Sequence, residues 1–217
     1  MIIPVLNRFD LLEKSLSSID YPIDEILIIN NSGDDSNTHG LKEKFLNLNI
    51  RVLNLPSNMG ISGSWNLGIK LYPHAKYWVI SSADTSFLPG SLEKMAQYSG
   101  PDAFVKSDAD FSFFSLGELI VITIGLFDEY IYPAYFEDND YDDRMVQAGF
   151  ESNRIKPGIA VDDSGGSQTI KSNQSYLKRN HETFSSNQSY YLKKKMSGDY
   201  TTRNWDLTRR RVNDWTK

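Results

Sequence analysis

Short runs of aliphatic and β-branched residues alternate with helical spacings through the first hundred positions. The runs are Ile2 to Leu6, Glu25 to Asn30, Ile50 to Leu55 and Tyr77 to Ser81. Their apolar residues are nearly continuous, which marks strands covered on both faces. Between them, Leu12, Leu16 and Ile19 share one helical face, with Asp10 placed as a cap and Glu13 three residues on. Leu41, Phe45 and Leu48 repeat that spacing, as do Trp65, Ile69 and Tyr72, and Pro89 ahead of Leu92, Met95 and Ala96 opens a fourth helix. The pattern predicts an α/β chain in the order β-α-β-α-β-α-β-α, a mostly parallel sheet flanked by helices. Such a sheet carries its ligand crevice at the carboxyl ends of the strands, so the segments after Leu6, Ile29, Leu55 and Ile80 matter most.

The second half is less regular. Extended pieces are expected near 102 to 105, 111 to 115 and 154 to 161, with an apolar helix around 116 to 125 and an acidic stretch from Asp128 to Asp143. After Gly165 the chain turns polar, but Tyr176, Leu177, Tyr190, Tyr191 and Leu192 give helices enough apolar surface to pack on the main body. Trp205, Thr208, Val212 and Trp215 come next at spacings of three and four, an amphipathic helix whose last Trp still needs cover. This divides the chain into a core over 1–168 and a helical extension over 169–217, with a further domain expected beyond. The near-recurrence of Asn173 to Lys178 in Asn187 to Lys193 is too short to make a repeat architecture.

Composition narrows the class. Apolar residues make up 40% and aromatics 12% of 217 residues, enough to close a core. No apolar run is long enough for a membrane span, and the first residues lack the pattern of a signal peptide, so a cytoplasmic location is expected. There are no cysteines, and the three histidines at 39, 74 and 181 are never close in sequence, so any metal is expected on oxygen ligands. The net charge of −5 hides a split: residues 1–170 hold 12 basic against 24 acidic side chains, and residues 171–217 hold 11 against 4. Lys193 to Lys195 and Arg209 to Arg211 form the basic runs of that tail. An acidic main body opposes nucleic-acid binding, so no nucleic-acid partner is expected.

Neither common phosphate loop is present, since there is no Gly-x-x-x-x-Gly-Lys-Ser/Thr and the glycines at 60, 63 and 68 miss the dinucleotide spacing. The strands run instead into a polar set: Asn7 and Arg8, then Asn30, Asn31 and Ser32, then Asn58 and Gly60, then Ser82, Ala83 and Asp84. Any one of these suits an ordinary turn. Together they occupy all four strand ends. In the acidic stretch, Asp138, Asp140 and Asp142 imitate the start of a calcium loop, but its sixth and twelfth places hold Asp143 and Gly149 instead of Gly and Glu, which rules that reading out.

Seven motifs in register then carry a resemblance: Ile3-Pro4-Val5-Leu6-Asn7-Arg8; Ile28-Ile29-Asn30-Asn31-Ser32; Ser57-Asn58-Met59-Gly60 with Trp65-Asn66-Leu67-Gly68; Ser81-Ser82-Ala83-Asp84; Gly125-Leu126-Phe127-Asp128-Glu129; Tyr135-Phe136-Glu137-Asp138-Asn139-Asp140; and Ala148-Gly149-Phe150. Over residues 2 to 168 the chain resembles family 2 glycosyltransferases of the GT-A fold. Its variants resemble the rhamnosyltransferase-like branch, and the whole chain is similar to the amino-terminal domain of viral capsid-glycosylating transferases.

The resemblance implies a transferase moving a rhamnose- or glucose-type sugar from a nucleoside-diphosphate sugar, such as a UDP-sugar, to a hydroxyl of a glycan or glycoprotein, with inversion. It implies a donor slot from Pro4, Leu6, Asn7, Arg8, Asn30, Asn58, Gly60, Trp65, Asn66, Ser82 and Ala83, with a tail lysine, taken as Lys194, near the diphosphate. Asn30 and Ser82 stand where the family usually has Asp. A divalent cation, Mn²⁺ or Mg²⁺, is implied at Asp84, with Asp163 second because it occupies the place of a family His. Asp138 is implied as general base and Glu137 as the reserve, and two such neighbours should raise each other's pKa. Asp128 and Asp140 are read as orienting the loop and capping the following helix. The alternatives are a sugar nucleotidyltransferase, which would carry a Gly-rich, Arg-containing loop where Pro4 to Arg8 has no glycine, and a non-catalytic carbohydrate-binding module with a degenerate site.

Overall fold

The structure, a computed structural model, describes residues 1–164 and 167–203. The expected amphipathic helix from Trp205 to Trp215 and the basic run Arg209 to Arg211 lie outside the described residues. A seven-stranded sheet runs in the order β3-β2-β1-β4-β7-β6-β8, built from Ile2–Val5 (β1), Ile26–Asn30 (β2), Ile50–Asn54 (β3), Tyr77–Ser81 (β4), Phe104–Ser107 (β6), Asp110–Gly117 (β7) and Arg154–Ile155 (β8). The first four strands are mutually parallel, and β7 is antiparallel to both neighbours. A second, two-stranded sheet joins Ser86–Phe87 (β5) to Val161–Asp162 (β9).

Alternation along the central strands sends side chains to opposite faces, and both faces are covered. Ile3, Val5, Ile26 and Ile28 pack with Leu12 and Leu16 of α1 (Phe9–Ser17) and Leu41 of α2 (Leu41–Lys44). Ile2, Leu27, Ile29 and Ile80 face Trp65 and Ile69 of α3 (Gly60–Leu71), and this core continues to Ile120 of α5 (Glu118–Ile124) and Tyr141 of α6 (Glu137–Gln147). A third cluster under α4 (Ser91–Tyr98) joins Leu92 and Met95 to Val105, Phe113 and Ile159. Gly68 lets α3 approach β1 closely, since a Cβ there would come within 2.7 Å of Ile2.

Several expectations are corrected. β3 is an edge strand with only Ile50 buried, because among the described residues no strand pairs with its outer side. The helix expected over 41 to 48 ends at Lys44, where Phe45 leaves helical geometry (φ −120°, ψ 61°) and asparagines stand at 47 and 49. Asp10 does not cap α1. It lies inside the first turn and grips Arg8, the actual N-cap residue. The extended piece expected over 154 to 161 is two strands, β8 and β9, in different sheets. The polar extension forms α7 (Gln168–Lys171) and α8 (Gln174–Ser197), and Asn173 caps α8 by accepting from the Ser175 and Tyr176 amides. No helix of the described residues is long and apolar enough to cross a membrane.

Candidate active site

The chain moves outward from β1 through β2 to β3, then returns to place β4 on the other side of β1. That reversal opens a crevice at the carboxyl ends of β1 and β4, the switch point of an open α/β sheet. Asn7 and Arg8 leave β1 there, and Ser82, Ala83 and Asp84 leave β4.

Strand pairing explains which residues meet Asp84. Ser86 of β5 is opposite Asp162 of β9 in antiparallel register, so the residues before Ser86 run beside those after Asp162. Asp163 is thereby close enough to raise the Asp84 pKa. Burial is the larger cause of that rise, and it is opposed by the Gln168 backbone N–H and by Arg8. Asp84 and Asp163, brought near each other here, make a hard-oxygen donor set of the kind Mg²⁺ and Mn²⁺ accept. Among the described residues no group of three or more His, Cys, Asp or Glu side chains that could hold a metal ion forms. Asp162 is engaged elsewhere, its carboxylate 2.9 Å from Lys14 Nζ and held below its usual pKa by that bond.

The segment after β9 folds back over β1. Asn7 Nδ2 donates to the Thr169 carbonyl at 2.9 Å and the Ser172 hydroxyl at 3.1 Å, while its Oδ1 is buried without a partner. Arg8 forks onto Asp10, Nε to Oδ1 at 2.8 Å and an Nη2 contact to Oδ2 at 2.6 Å. Asn58 Oδ1 accepts the Gly60 amide at 2.9 Å, and Gly60 starts α3 at φ +79°. A Cβ on Gly60 would lie 2.8 Å from the Tyr132 ring and 3.0 Å from the Pro133 carbonyl, so the turn and the acidic loop approach closely only at a glycine.

The acidic loop delivers Glu137 and Asp138 at the first turn of α6. Tyr135 and Phe136, immediately before them, both take left-handed backbone at φ +75° and +77°. Each non-glycine residue in that region costs on the order of 1–3 kcal/mol unless its surroundings hold it. Glu137 is 7% exposed, and its Oε2 has no hydrogen-bond partner. Burial, and then repulsion from Asp138, push its carboxyl up to about 8, so it is largely protonated at neutral pH. Asp138 is less enclosed. Burial and the neighbouring Asp142 raise its pKa, while the Asn139 amide, donating to Oδ1 at 2.8 Å, and Lys106 lower it. Lys106 is in turn tied to Asp142 at 2.9 Å. The Tyr135 and Ser167 hydroxyls, 3.0 Å apart, join this loop to the segment that carries Asp163.

Four residues expected at the donor are occupied by internal contacts. Asn30 is fully buried. Its Nδ2 donates to the Asp34 carbonyl and Asn54 Oδ1, and its Oδ1 accepts from the Ser32 amide and hydroxyl, which exhausts an amide's capacity. Trp65 packs in the core, 4.8 Å from Phe127 and 5.2 Å from Phe114 by ring centroids. Asn66 is fully buried, trades hydrogen bonds with the Phe127 backbone in both directions and donates to Glu129. Lys194 lies under α6, its Nζ 2.7 Å from Asp128 and 2.5 Å from Asp140, with all three side chains buried. Asn187 of α8, which no sequence motif singles out, also reaches the acidic loop. Its Nδ2 donates to the Tyr132 and Ala134 carbonyls at 3.1 and 2.9 Å.

Residues 1–107 match the model of the family described as Glycosyl transferase family 2. A 48-residue stretch, 22% of this chain, is 46% identical to a galactofuranosyl glycosyltransferase of Leishmania donovani and covers 11% of that protein. Among solved structures the chain is similar to the mannosyltransferase PcManGT of Pyrobaculum calidifontis in complex with GDP-Man and Mn²⁺. That likeness has a TM-score of 0.58 and 17% identity, over 72% of this chain and 53% of that one. It is also similar to S. aureus TarS, with a TM-score of 0.57 and 15% identity over 73% of this chain and 35% of that one, and to TarS residues 1–349 in complex with UDP, at 0.55 and 16% over 73% and 57%. The chain thus spans about half of the mannosyltransferase and a small part of the curated relative. Its fold is that of GT-A glycosyltransferases, and the family 2 match lies within its first 107 residues.

Proposed function

From a chain with a glycosyltransferase family 2 match on a GT-A fold, we propose a metal-dependent transferase that moves a hexose-type sugar from a nucleoside-diphosphate sugar to a hydroxyl of a glycan or glycoprotein. The observation that carries this reading is the β5–β9 register, which sets Asp163 beside Asp84 at the switch point, with the Glu137–Asp138 pair tied to the same segment through Tyr135 and Ser167. The GDP-Man and Mn²⁺ of one structural neighbour and the UDP of another support the donor class and the cation.

Asp84 and Asp163 would hold the divalent cation, which when bound offsets the charge of the leaving diphosphate. The remaining ligands would come from the diphosphate itself. Asn7, Arg8, Asn58 and Ser82 line the donor slot, with Arg8 held in place by Asp10. Asn30 acts one step back by fixing the Ser32–Asp34 turn, so reading of the base falls to backbone groups of the Pro4 to Leu6 and Ser32 to Asp34 segments.

Asp138 is the general base. Its Oδ1 takes the Asn139 N–H, leaving Oδ2 to accept the proton of the acceptor hydroxyl. The acceptor oxygen forms a bond to the anomeric carbon, the bond from that carbon to the diphosphate oxygen breaks, and the electron pair leaves with the diphosphate. Attack from the face opposite the leaving group inverts the anomeric configuration. Glu137, protonated at neutral pH, adds no second negative charge beside the base and keeps a hydrogen-bond donor in the buried part of the site.

Thermal shifts of the protein with a panel of UDP-, GDP- and dTDP-sugars, each with and without Mn²⁺, test the reading, because a specific ligand stabilises the folded state. A shift of several degrees for one donor, dependent on Mn²⁺, is expected together with slow release of free sugar. Equal responses to every donor without metal, and no turnover, would instead favour a non-catalytic carbohydrate-binding module.

A further inference from the structure

The structure holds the proposed catalytic pair by a means that neither the donor slot nor the cation explains. Tyr132 to Phe136 bridges the start of α3 and the body of α8. On the α3 side, the Pro133 carbonyl accepts the Ile61 amide at 2.8 Å and the Tyr132 hydroxyl donates to the Asn58 carbonyl at 3.1 Å. On the α8 side, one fully buried amide nitrogen, Nδ2 of Asn187, donates to two carbonyls of the segment. Aromatic contacts complete the grip: Phe136 stacks with Tyr191 at 5.7 Å and meets Phe184 at 4.9 Å, and Tyr135 meets Phe184 edge-on at 5.5 Å. One turn further, Lys194 binds Asp140 in the first turn of α6 and Asp128 at the head of the loop, and Tyr190 adds a hydroxyl bond to Asp128.

All of these α8 groups grip the two left-handed residues that precede Glu137, the loop that leads into them, or the first turn of the helix that carries it. Consecutive non-glycine residues keep that conformation only where the surroundings over-determine it, and such strain is characteristic of functional segments. We infer that α8 is a clamp that fixes the Glu137–Asp138 pair against the donor crevice, with Asn187 its principal positioning residue and Phe184 a second. The inference rests on the proposed function of that pair. Asn187 touches no substrate. It acts by holding the Tyr132 and Ala134 carbonyls, and through them the direction in which α6 begins.

The test uses the whole chain as wild type, Asn187→Leu and Phe184→Ala. The second variant is cut from a half-exposed side chain and so carries little folding risk. Hydrogen exchange reports the clamp, and steady-state kinetics with the donor found to bind report the chemistry. The amides of Tyr132 and of residues 134 to 138 are expected to exchange about tenfold faster in both variants, with those of β1, β2 and β4 unchanged. The kcat should fall about tenfold or more while the donor KM stays within about twofold, the signature of misplaced catalytic groups on an intact donor slot. Unaltered turnover in a folded variant overturns the inference. So does faster exchange throughout the sheet with KM rising as kcat falls, which marks a merely structural contact. Wild-type protein that turns over no nucleoside-diphosphate sugar overturns the functional reading and the clamp with it, whereas an active wild type with indifferent variants overturns the clamp alone.

Discussion

Lys194 Nζ lies 2.7 Å from Asp128 Oδ2 with both side chains out of solvent, and the same ammonium contacts Asp140 at 2.5 Å. The basic tail and the acidic loop therefore meet beneath α6, the helix that begins with Glu137 and Asp138. Lys194→Met removes the cation and strands two buried carboxylates, so a loss of about 3–5 kcal/mol in unfolding free energy is expected. Urea denaturation of the two proteins measures it. Wild-type stability with weakened donor binding would return Lys194 to the phosphate role that its sequence position first implied.

The sheet was legible because β1, β2 and β4 are continuous apolar runs that alternate with helices. The beginning of α3 was not. Gly60, Ser62 and Gly63 have the composition of a turn, yet the structure buries them at a helix start where Gly60 passes close to Tyr132 and Pro133. Asp84 and the Glu137–Asp138 pair could be named from motif resemblance. The proximity of Asp163 to Asp84 is set only by a two-residue strand pairing that no periodicity announces. Asn30, Trp65 and Asn66 were placed at the donor from motif position, and their neighbours in space supply what sequence lacks: a saturated amide, an aromatic core and a backbone clasp.

Glu137 has a consequence for stability. Its carboxyl is raised from 4.5 to about 8, so the folded state holds a proton that the unfolded chain releases. Below pH 4.5 both states are protonated and nothing is lost. As pH climbs from 4.5 towards 8 the unfolded state is progressively favoured, by on the order of a few kcal/mol. Glu137→Gln cannot ionise and should flatten that decline. Melting temperatures of the two proteins should converge near pH 4.5 and separate by pH 8 with the variant higher. Parallel curves would show that Glu137 is already ionised in the folded protein.

Asp84→Asn keeps the shape of the loop and removes the charge that faces Asp163. Mn²⁺-dependent donor affinity, read by calorimetry, should weaken by about tenfold or more, while binding measured in EDTA changes little. Equal weakening with and without metal would place Asp84 on the sugar instead of the cation.

Gly60→Ala combines a left-handed φ with a Cβ 2.8 Å from the Tyr132 ring. A loss of about 1–3 kcal/mol is expected on denaturation, with the donor KM rising because Asn58 and Gly60 share one turn.

The central claim is that Asp138 takes the acceptor proton, and single-turnover transfer at saturating donor and Mn²⁺ by wild type and Asp138→Asn tests it most directly. The account predicts a rate lowered by about 10²- to 10⁴-fold in the variant with donor affinity within about threefold of wild type. A variant that transfers at the wild-type rate with the same donor bound would contradict it.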